Sequence, residues 1–236
     1  MEEGIERIAK GVWVGIPAPG EAAMGAVVDQ GQMLVIDTSC YSVFAKRFVE
    51  RVVASEDVDG PTAVFVTHRH VDHFAGAGAL AAPIIGHRLT RAGMAAYSQE
   101  WLDETLRSWE AKEMILPGLI SDERVVLPEI TFSGEMGVHV GAIEVRMKHV
   151  GGHTADLSIA YLPRQRILFG TDNVFNGKVP YVGEGDFTTW IACLEELVGW
   201  PIEVVVPGHG ALGGVELLHA QIAELRQMHA AWLSEV

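Results

Sequence analysis

Four potential metal ligands stand close together in this sequence, in the stretch His68-Arg69-His70-Val71-Asp72-His73. They follow a short apolar run, Ala63–Val66, which is typical of a buried strand. Imidazole and carboxylate groups crowded in this way lose hydration, and they repel one another when like charges meet. A divalent metal offsets both costs, because it binds neutral imidazole nitrogen and carboxylate oxygen at about 2 Å. The motif therefore predicts a metal-binding loop at the end of a buried strand.

Three further segments place a histidine or an aspartate after an apolar run. Two are Gly-rich turns that carry His153 and His209, and the third is an apolar strand that ends at Asp172. His149 competes with His153 as a ligand, but it lies within a predicted strand, whereas His153 follows two glycines in a loop. Together with the motif, these segments supply five histidines and two aspartates, enough for three ligands per metal and one shared carboxylate.

In this order, the segments resemble those of the metallo-β-lactamase superfamily, whose hallmark His-x-His-x-Asp-His is matched by the stretch from His68 to His73. The similarity covers nearly the whole chain and includes the strand end at Asp37. It implies an α+β fold, a four-layer αββα sandwich in which two mixed β-sheets are flanked by helices. It also implies a single domain over residues 1–236.

The resemblance further implies two metal ions per chain, with zinc as the expected metal and iron or manganese as alternatives. Asp37 would orient the ligand loop from behind. The implied ligands are His68, His70 and His153 for one ion, Asp72, His73 and His209 for the other, and Asp172 as the bridge between them.

A binuclear centre of this kind is expected to make the chain a hydrolase. Hydroxide held between the ions, and oriented by Asp72 as the catalytic residue, would attack a carboxylic bond of a small molecule, in a thioester, lactone, ester or lactam. Three alternatives stay open at this point: a mononuclear iron enzyme similar to the persulfide dioxygenases, a phosphodiesterase and a metal-stabilised binding scaffold.

Two positions depart from the family's pattern. Thr171 stands where the family usually has Gly before the bridging aspartate. Asp172 stands where the main secreted zinc β-lactamases have Cys, which argues against antibiotic hydrolysis as the biological role. His70 argues against the flavin-linked di-iron relatives, which have Glu at that position.

Two regions are candidates for contacts with substrate. Lys178, Tyr181 and Trp190 follow Asp172 closely enough to reach a bound molecule. Residues 88–118 are predicted to be a helical insertion near the active site, in which Trp101 and Trp109 would form one wall of an apolar pocket. The alternative for this segment is that its apolar face packs on the core.

Composition limits the classes of partner. The formal net charge of −14 disfavours nucleic acid, which proteins usually bind through clustered Lys and Arg. No run of about 18 apolar residues predicts a membrane span, and the acidic start of the sequence lacks the features of an export signal. The two cysteines provide no disulfide framework, so we expect a cytoplasmic enzyme with a small-molecule substrate. The oligomeric state is left open.

Local patterns predict a chain with two β-rich stretches, each followed by helix. Spacings of three to five residues between apolar positions predict helices over 44–53 and 215–232. Apolar runs bounded by turn residues predict strands at 12–16, 26–29, 33–37, 63–66, 138–150, 157–162, 166–170 and 203–206.

Overall fold

The computed structural model describes residues 4–18 and 21–235, without the side chain of Glu235. Met1 to Glu3, on which the expectation about export partly rests, lie outside the described residues. The first sheet has seven strands in sequence order, antiparallel from β1 to β4 and parallel from β4 to β7. Its strands are β1 (Ile5–Ala9), β2 (Val12–Gly15), β3 (Met24–Asp29), β4 (Gln32–Ile36), β5 (Ala63–Val66), β6 (Ile84–His87) and β7 (Ile130–Phe132).

The second sheet has five strands in the order β12-β11-β10-β9-β8, with one parallel pair between β11 and β12. Its strands are β8 (Glu135–Val140), β9 (Ile143–His149), β10 (Ser158–Leu162), β11 (Ile167–Phe175) and β12 (Val204–His209). The single strand predicted at 138–150 is wrong, because the chain reverses at Gly141, whose φ of 56° favours glycine. The strand predicted to end at Asp172 instead continues through it to Phe175.

Six α-helices and a short 3-10 helix (Ala77–Ala79) complete the described residues, and the local sequence explains where several of the α-helices begin. The hydroxyl of Ser98 accepts a hydrogen bond from the backbone N of Trp101 at the start of α4, and Asp186 accepts one from Thr189 at the start of α5. The helices are α1 (Ser42–Val53), α2 (Val71–Phe74), α3 (Arg88–Met94), α4 (Gln99–Ala111), α5 (Phe187–Val198) and α6 (Glu216–Glu235).

Three apolar layers separate four layers of secondary structure. Successive side chains of a strand point to opposite faces of its sheet, so each strand can contribute to two of these layers. In β4, Val35 faces a cluster shared with α1 and α4, whereas Leu34 faces the cluster between the two sheets. A third cluster lies between the second sheet and α5 and α6, and it contains Trp190 and Leu218. The expected sandwich of two mixed sheets flanked by helices is confirmed.

The fold brings several strand ends to one edge of the sandwich. Strand β5 leads into the ligand loop, and the backbone N of Ser158 at the start of β10 donates to the carbonyl of Thr67, which joins the two sheets there at 3.0 Å. Strands β11 and β12 are neighbours, so they bring Asp172 and His209 to the same edge. None of the described helices is long and apolar enough to cross a membrane.

Candidate metal centre

The loop after β5 is fixed from behind by Asp37. Its two carboxylate oxygens accept hydrogen bonds from the backbone N of Thr67 at 2.9 Å and from the Thr67 hydroxyl at 2.8 Å. The loop then enters α2, which begins after His70 and carries Asp72 and His73 in its single turn. Neighbouring ligand residues therefore point in different directions, because the extended loop changes to helix between His70 and Asp72.

The structure brings all seven predicted ligands together in two adjoining groups. Within each group, one nitrogen or oxygen atom per residue lies within 4.8 Å of the others. Asp172 faces both groups: its Oδ1 lies 3.0 Å from Nε2 of His73, and its Oδ2 lies 3.3 Å from Nε2 of His153. The first group contains His68, His70, His153 and Asp172, and the second contains Asp72, His73 and His209.

Hydrogen bonds behind two of the histidines determine where their protons lie. Nδ1 of His73 is 2.8 Å from the Asp37 carboxylate, which accepts, so this nitrogen carries the proton. The Thr67 hydroxyl donates its own proton to Asp37 and can therefore only accept from Nδ1 of His68, at 3.1 Å. In the neutral form of each ring, the lone pair of Nε2 is thus directed into the cluster.

The same reasoning applies to the other two rings of the first group. Nδ1 of His153 is 2.9 Å from the backbone carbonyl of Tyr181, so it donates, and its Nε2 is left as an acceptor. Nε2 of His70 lies 3.6 Å from the carboxylate of Glu184, which favours a proton there. Nε2 of His153 lies 2.9 Å from Nδ1 of His70, which donates to it when Nδ1 carries the ring proton of His70. With that proton on Nε2 of His70 instead, the two facing lone pairs are placed to bind a shared cation.

Charges within the cluster perturb the pKa values of its members in opposite directions. Burial, together with the charges of His73 and His70, holds the pKa of His68 well below its ordinary value. Burial also lowers the pKa of His153 to about 4, although Asp172 opposes the shift. For His209, burial is outweighed by the neighbouring Asp172 and Asp72, which raise its pKa to about 10. Protons would therefore occupy part of the cluster wherever a metal cation does not.

Buried atoms without hydrogen bonds test whether the donors fit a metal. Within residues 4–18 and 21–235, Nε2 of His68 is buried without a hydrogen-bond partner, and Nε2 of His73 and Oδ1 of Asp172 are buried 3.0 Å apart without a well-aligned hydrogen bond. Such groups are costly unless something else satisfies them. Imidazole nitrogens and carboxylate oxygens grouped three or four at a time are the donor set that zinc binds in proteins. The residues present therefore fit the expected metal.

Arg69 joins the ligand loop to three neighbouring segments. Its guanidinium contacts the buried carboxylate of Asp156 at 2.7 Å, is paired with Glu184 and is hydrogen-bonded to Tyr97. A Cβ atom at Gly93 would stand 2.5 Å from Cδ of Arg69, so glycine in α3 gives the arginine its path. Arg69 thereby holds Glu184 beside His70, a role that its place between two ligands in the motif could have suggested.

Asn173 supports His153 and was also missed in the sequence. Its side-chain carbonyl accepts from the backbone N of His153 at 2.9 Å, and its amide donates to the carbonyl of Gly151 at 2.8 Å. Gly152, at a φ of 105°, allows this close approach, because a Cβ there would lie 2.6 Å from the asparagine oxygen. The residue after Asp172 therefore positions a ligand 20 residues earlier in the chain.

The prediction that Trp190 contacts substrate is wrong. Trp190 lies in α5 with no exposed surface, and its indole N donates to the backbone carbonyl of Asn173 at 2.9 Å. Its ring meets that of His153 edge-on, with centroids 5.3 Å apart, so it packs behind a ligand and does not reach a substrate. Tyr181 and Lys178, in contrast, are exposed near the cluster, and the Tyr181 ring lies 6.0 Å from that of His70.

The structure places the two tryptophans of residues 88–118 differently, and their contact with substrate stays a prediction. Trp109 packs against the cluster between the first sheet and its helices, which is the alternative that the sequence left open. Trp101 is 37% exposed and stacks on Tyr97, with ring centroids 3.9 Å apart. His149 stacks on His87 at 3.8 Å and is not a member of either ligand group.

Comparisons with known proteins agree with this architecture. Among solved structures, a metallo-beta-lactamase from Pontibacter korlensis superposes with a TM-score of 0.76 at 22% identity, covering 94% of this chain and 98% of that one. The DIM-1 metallo-beta-lactamase gives a TM-score of 0.70 at 19% identity, covering 95% and 97%. At these identities, the similarity is one of fold.

Sequence relatives are more informative about descent. A metallo-beta-lactamase type 2 of Bacteroides fragilis is 25% identical over 213 residues, which are 87% of this chain and 74% of that protein. A linear primary-alkylsulfatase of Pseudomonas sp. (strain ATCC 19151) is 25% identical over 172 residues, 69% of this chain but only 31% of that protein. The family model described as the metallo-beta-lactamase superfamily matches residues 19–209. The chain therefore belongs to the metallo-beta-lactamase superfamily.

Proposed function

We propose that this chain is a binuclear zinc hydrolase that cleaves a carboxylic bond of a small molecule, in a thioester, lactone, ester or lactam. The observation that carries the proposal is the arrangement of protons around the cluster. Hydrogen bonds to Asp37, Thr67 and the carbonyl of Tyr181 leave ring nitrogens as acceptors that face the carboxylate of Asp172. Two ligand sets that share one carboxylate suit two cations better than one.

The ions, when bound, would activate a water molecule and polarise the oxygen of the substrate's reacting bond. The chain's own residues then have separate tasks. Asp72 is the partly exposed carboxylate of the set, and its Oδ2 lies 3.3 Å from His209, so its other oxygen is available to orient the water. Asp37, Glu184 and the carbonyl of Tyr181 hold the histidine rings in one orientation.

Zinc, a small substrate and a cytoplasmic location are parts of the same proposal. Zinc is favoured because five of the seven donors are imidazoles, with iron and manganese as alternatives. The net charge of −14 disfavours nucleic acid and supports a small molecule that reaches the local positive charge of the ions. Cys40 and Cys193 are both unpaired and buried, in keeping with a reducing compartment.

The named activities of the relatives do not select one substrate. They are those of a beta-lactamase, an alkylsulfatase and, in a protein of Nocardioides sp. (strain JS1661) of which this chain spans 39%, the alpha subunit of a 2,4-dinitroanisole O-demethylase. Relatives of this chain therefore carry the names of different reactions, and we expect the surface around the metal centre to decide which substrate is taken.

The test combines metal analysis with matched histidine variants. We expect about two zinc ions per chain in protein isolated without chelator, and turnover in a screen of thioesters, lactones, esters and β-lactams. His70→Ala and His153→Ala should lose metal and at least ~100-fold in kcat/KM. His149→Ala is the control, because this residue stacks on His87 outside both ligand groups.

Three results would overturn the proposal. One iron per chain with no zinc, together with oxygen-dependent turnover of persulfides, would replace the hydrolase by a mononuclear dioxygenase. Loss of metal in His149→Ala combined with full activity of His153→Ala would show that the assigned ligand set is wrong. Phosphodiester cleavage without any action on carboxylic bonds would leave the metal centre in place but change the reaction.

A further inference from the structure

A cavity of about 900 Å³ lies next to the second ligand group. This volume is near the upper end of about 300–1,000 Å³ that is typical of small-molecule sites. The cavity is formed by the first turns of α1, the ends of β1 and β2, the segment after α4 and the loops that follow β11 and β12. Residues of the metal edge and residues far from it in sequence therefore share one space.

The inner wall of this cavity adjoins the end of β12, which carries the ligand His209. Asn176 and Ala211 both line it, and the amide of the Asn176 side chain donates to the carbonyl of Ala211 at 2.7 Å. The backbone N of Asn176 donates to the carbonyl of His209 at 2.9 Å. Gly210, which also lines the cavity, is the residue next to that ligand. The cavity thus shares its backbone wall with the strand end that carries His209, and Glu21 interacts both with Lys178 of the cavity and with the ligands Asp72 and His209.

Most of the side chains that line the cavity are apolar and only partly buried. Ile16, Phe44, Leu116 and Leu119 present carbon atoms to it from three different segments. Covering such a surface with an alkyl or aryl group is favourable by roughly 25 cal/mol for each Å² removed from water. The cavity is therefore suited to the apolar part of a molecule whose reactive bond lies over the metal centre.

The charges of the cavity are unusual for this chain. Among its described lining residues, the charged side chains are Arg47 and Lys178, and both are cationic, although the chain as a whole carries a formal net charge of −14. Lys178 also interacts with the carboxyl of Glu21. Arg47 is exposed on α1, and in the part of the chain that the structure describes no carboxylate forms an ion pair with it. A negatively charged group would be attracted to this wall.

We infer that the cavity selects amphiphilic substrates, in which an apolar chain or ring links the reactive carboxylic bond to a negatively charged group that pairs with Arg47. The inference rests on the proposed function for the identity of the reactive bond. Binding to the cavity is independent of the proposed function, because an apolar anion without a cleavable bond should occupy the same cavity.

Binding is measured by calorimetry with octane-1-sulfonate and 1-octanol on the full chain, since a sulfonate is a poorer zinc ligand than a carboxylate. We expect the sulfonate to bind more tightly than the alcohol. Arg47→Gln should raise the Kd of the sulfonate about three- to tenfold and leave the Kd of the alcohol unchanged. Leu119→Trp fills the cavity from a partly exposed position, so it should raise the Kd of the sulfonate and of the alcohol at least ~10-fold. Arg51→Gln, one turn further along the same helix and outside the cavity, is the matched control.

The outcomes separate the cavity from the reaction. Equal effects of Arg47→Gln and Arg51→Gln on binding would overturn the inference, and so would unchanged binding in Leu119→Trp. It would also be overturned if a second copy of the chain covered the cavity in solution. The expected binding pattern without hydrolysis of any carboxylic substrate would retain the cavity and refute the proposed function. Hydrolysis of anionic esters with the same KM in wild type and Arg47→Gln would retain the proposed function and refute the role of the cavity.

Discussion

Gly208→Ala would test how closely the carboxylate of Asp172 depends on the turn before His209. The glycine precedes His209 in β12, and its φ lies outside the left-handed region, so alanine adds no backbone strain. The new Cβ, however, would stand 1.9 Å from Oδ1 of Asp172 and 2.7 Å from the carbonyl carbon of Thr171. The substitution therefore acts on the shared carboxylate through one added methyl group.

The size of the effect follows from these distances. A non-bonded contact of this type needs about 3.4 Å, so the Asp172 carboxylate must move by roughly 1.5 Å. The backbone atoms of Thr171 and Asp172 that also contact the new Cβ cannot move as far as a side chain can. Asp172 now lies 3.0 Å from Nε2 of His73 and 3.3 Å from Nε2 of His153. A misplacement of about 1 Å at such a site lowers rates on the order of 100-fold, or about 2.7 kcal/mol in activation free energy. Overpacking should reduce the free energy of unfolding by about 1–3 kcal/mol.

The assay measures zinc per chain by mass spectrometry, kcat/KM on a substrate found active in the screen, and unfolding in urea. We expect fewer than two zinc ions per Gly208→Ala chain and at least ~100-fold lower kcat/KM. Gly60→Ala is the control, because its Cβ would meet nothing within 4 Å. If Gly208→Ala kept both ions and its rate stayed within threefold of wild type, the position of Asp172 against this turn would be wrong.

Two further substitutions probe strain and charge near the same edge. Thr171→Gly should stabilise the protein by about 1 kcal/mol, because a β-branched residue at a φ of 47° with a buried, unpaired hydroxyl costs more than the added flexibility of glycine. A lower urea midpoint in this variant would contradict that reasoning. His87→Asn should flatten the loss of stability in acid: burial and the neighbouring His149 and Arg88 lower the pKa of His87 from 6.5 to about 4. The unfolded chain then binds more protons than the folded one between these values, so wild type should lose about 1–2 kcal/mol more than the variant on going from pH 7.5 to 5, and equal slopes in urea titrations would refute this.

The ligand residues were open to prediction because the sequence marks them twice. Each is a histidine or aspartate, and each follows an apolar run or a Gly-rich turn, so residue type and position both point to an edge of the fold. The assignment of His153 and His209 to one group or the other was implied by resemblance alone, since both approach the loop at residue 68 only through the pairing of strands in the second sheet. Local pattern does not contain that pairing.

The error at Trp190 has a different physical cause. Phe187, Trp190, Ile191 and Leu194 recur at helical spacing after Asp186, which is a good N-cap residue, so the sequence does contain the signal for α5. A tryptophan on the apolar face of a helix usually packs in the core, and closeness in sequence to Asp172 does not change which way that face points. The cavity beside the metal centre was beyond local reasoning, because it joins Ile16, Phe44 and Leu119 from three distant segments.

Strained backbone at the metal edge also opposes local propensity, and it links the metal to folding. Asp37, Ser39 and Thr171 have φ values of 55°, 62° and 47°, a left-handed conformation that costs non-glycine residues of order 1–3 kcal/mol each. Asp37 is held there by three donors, two from Thr67 and one from His73, so the strain persists because the ligand loop requires this carboxylate behind it. A cation bound to His73 would strengthen the same hydrogen bond by polarising the ring, and binding would then stabilise the strained strand end along with the site. Metal removal should therefore weaken protection of the backbone at residues 36–39 in hydrogen exchange before it affects the core of the second sheet.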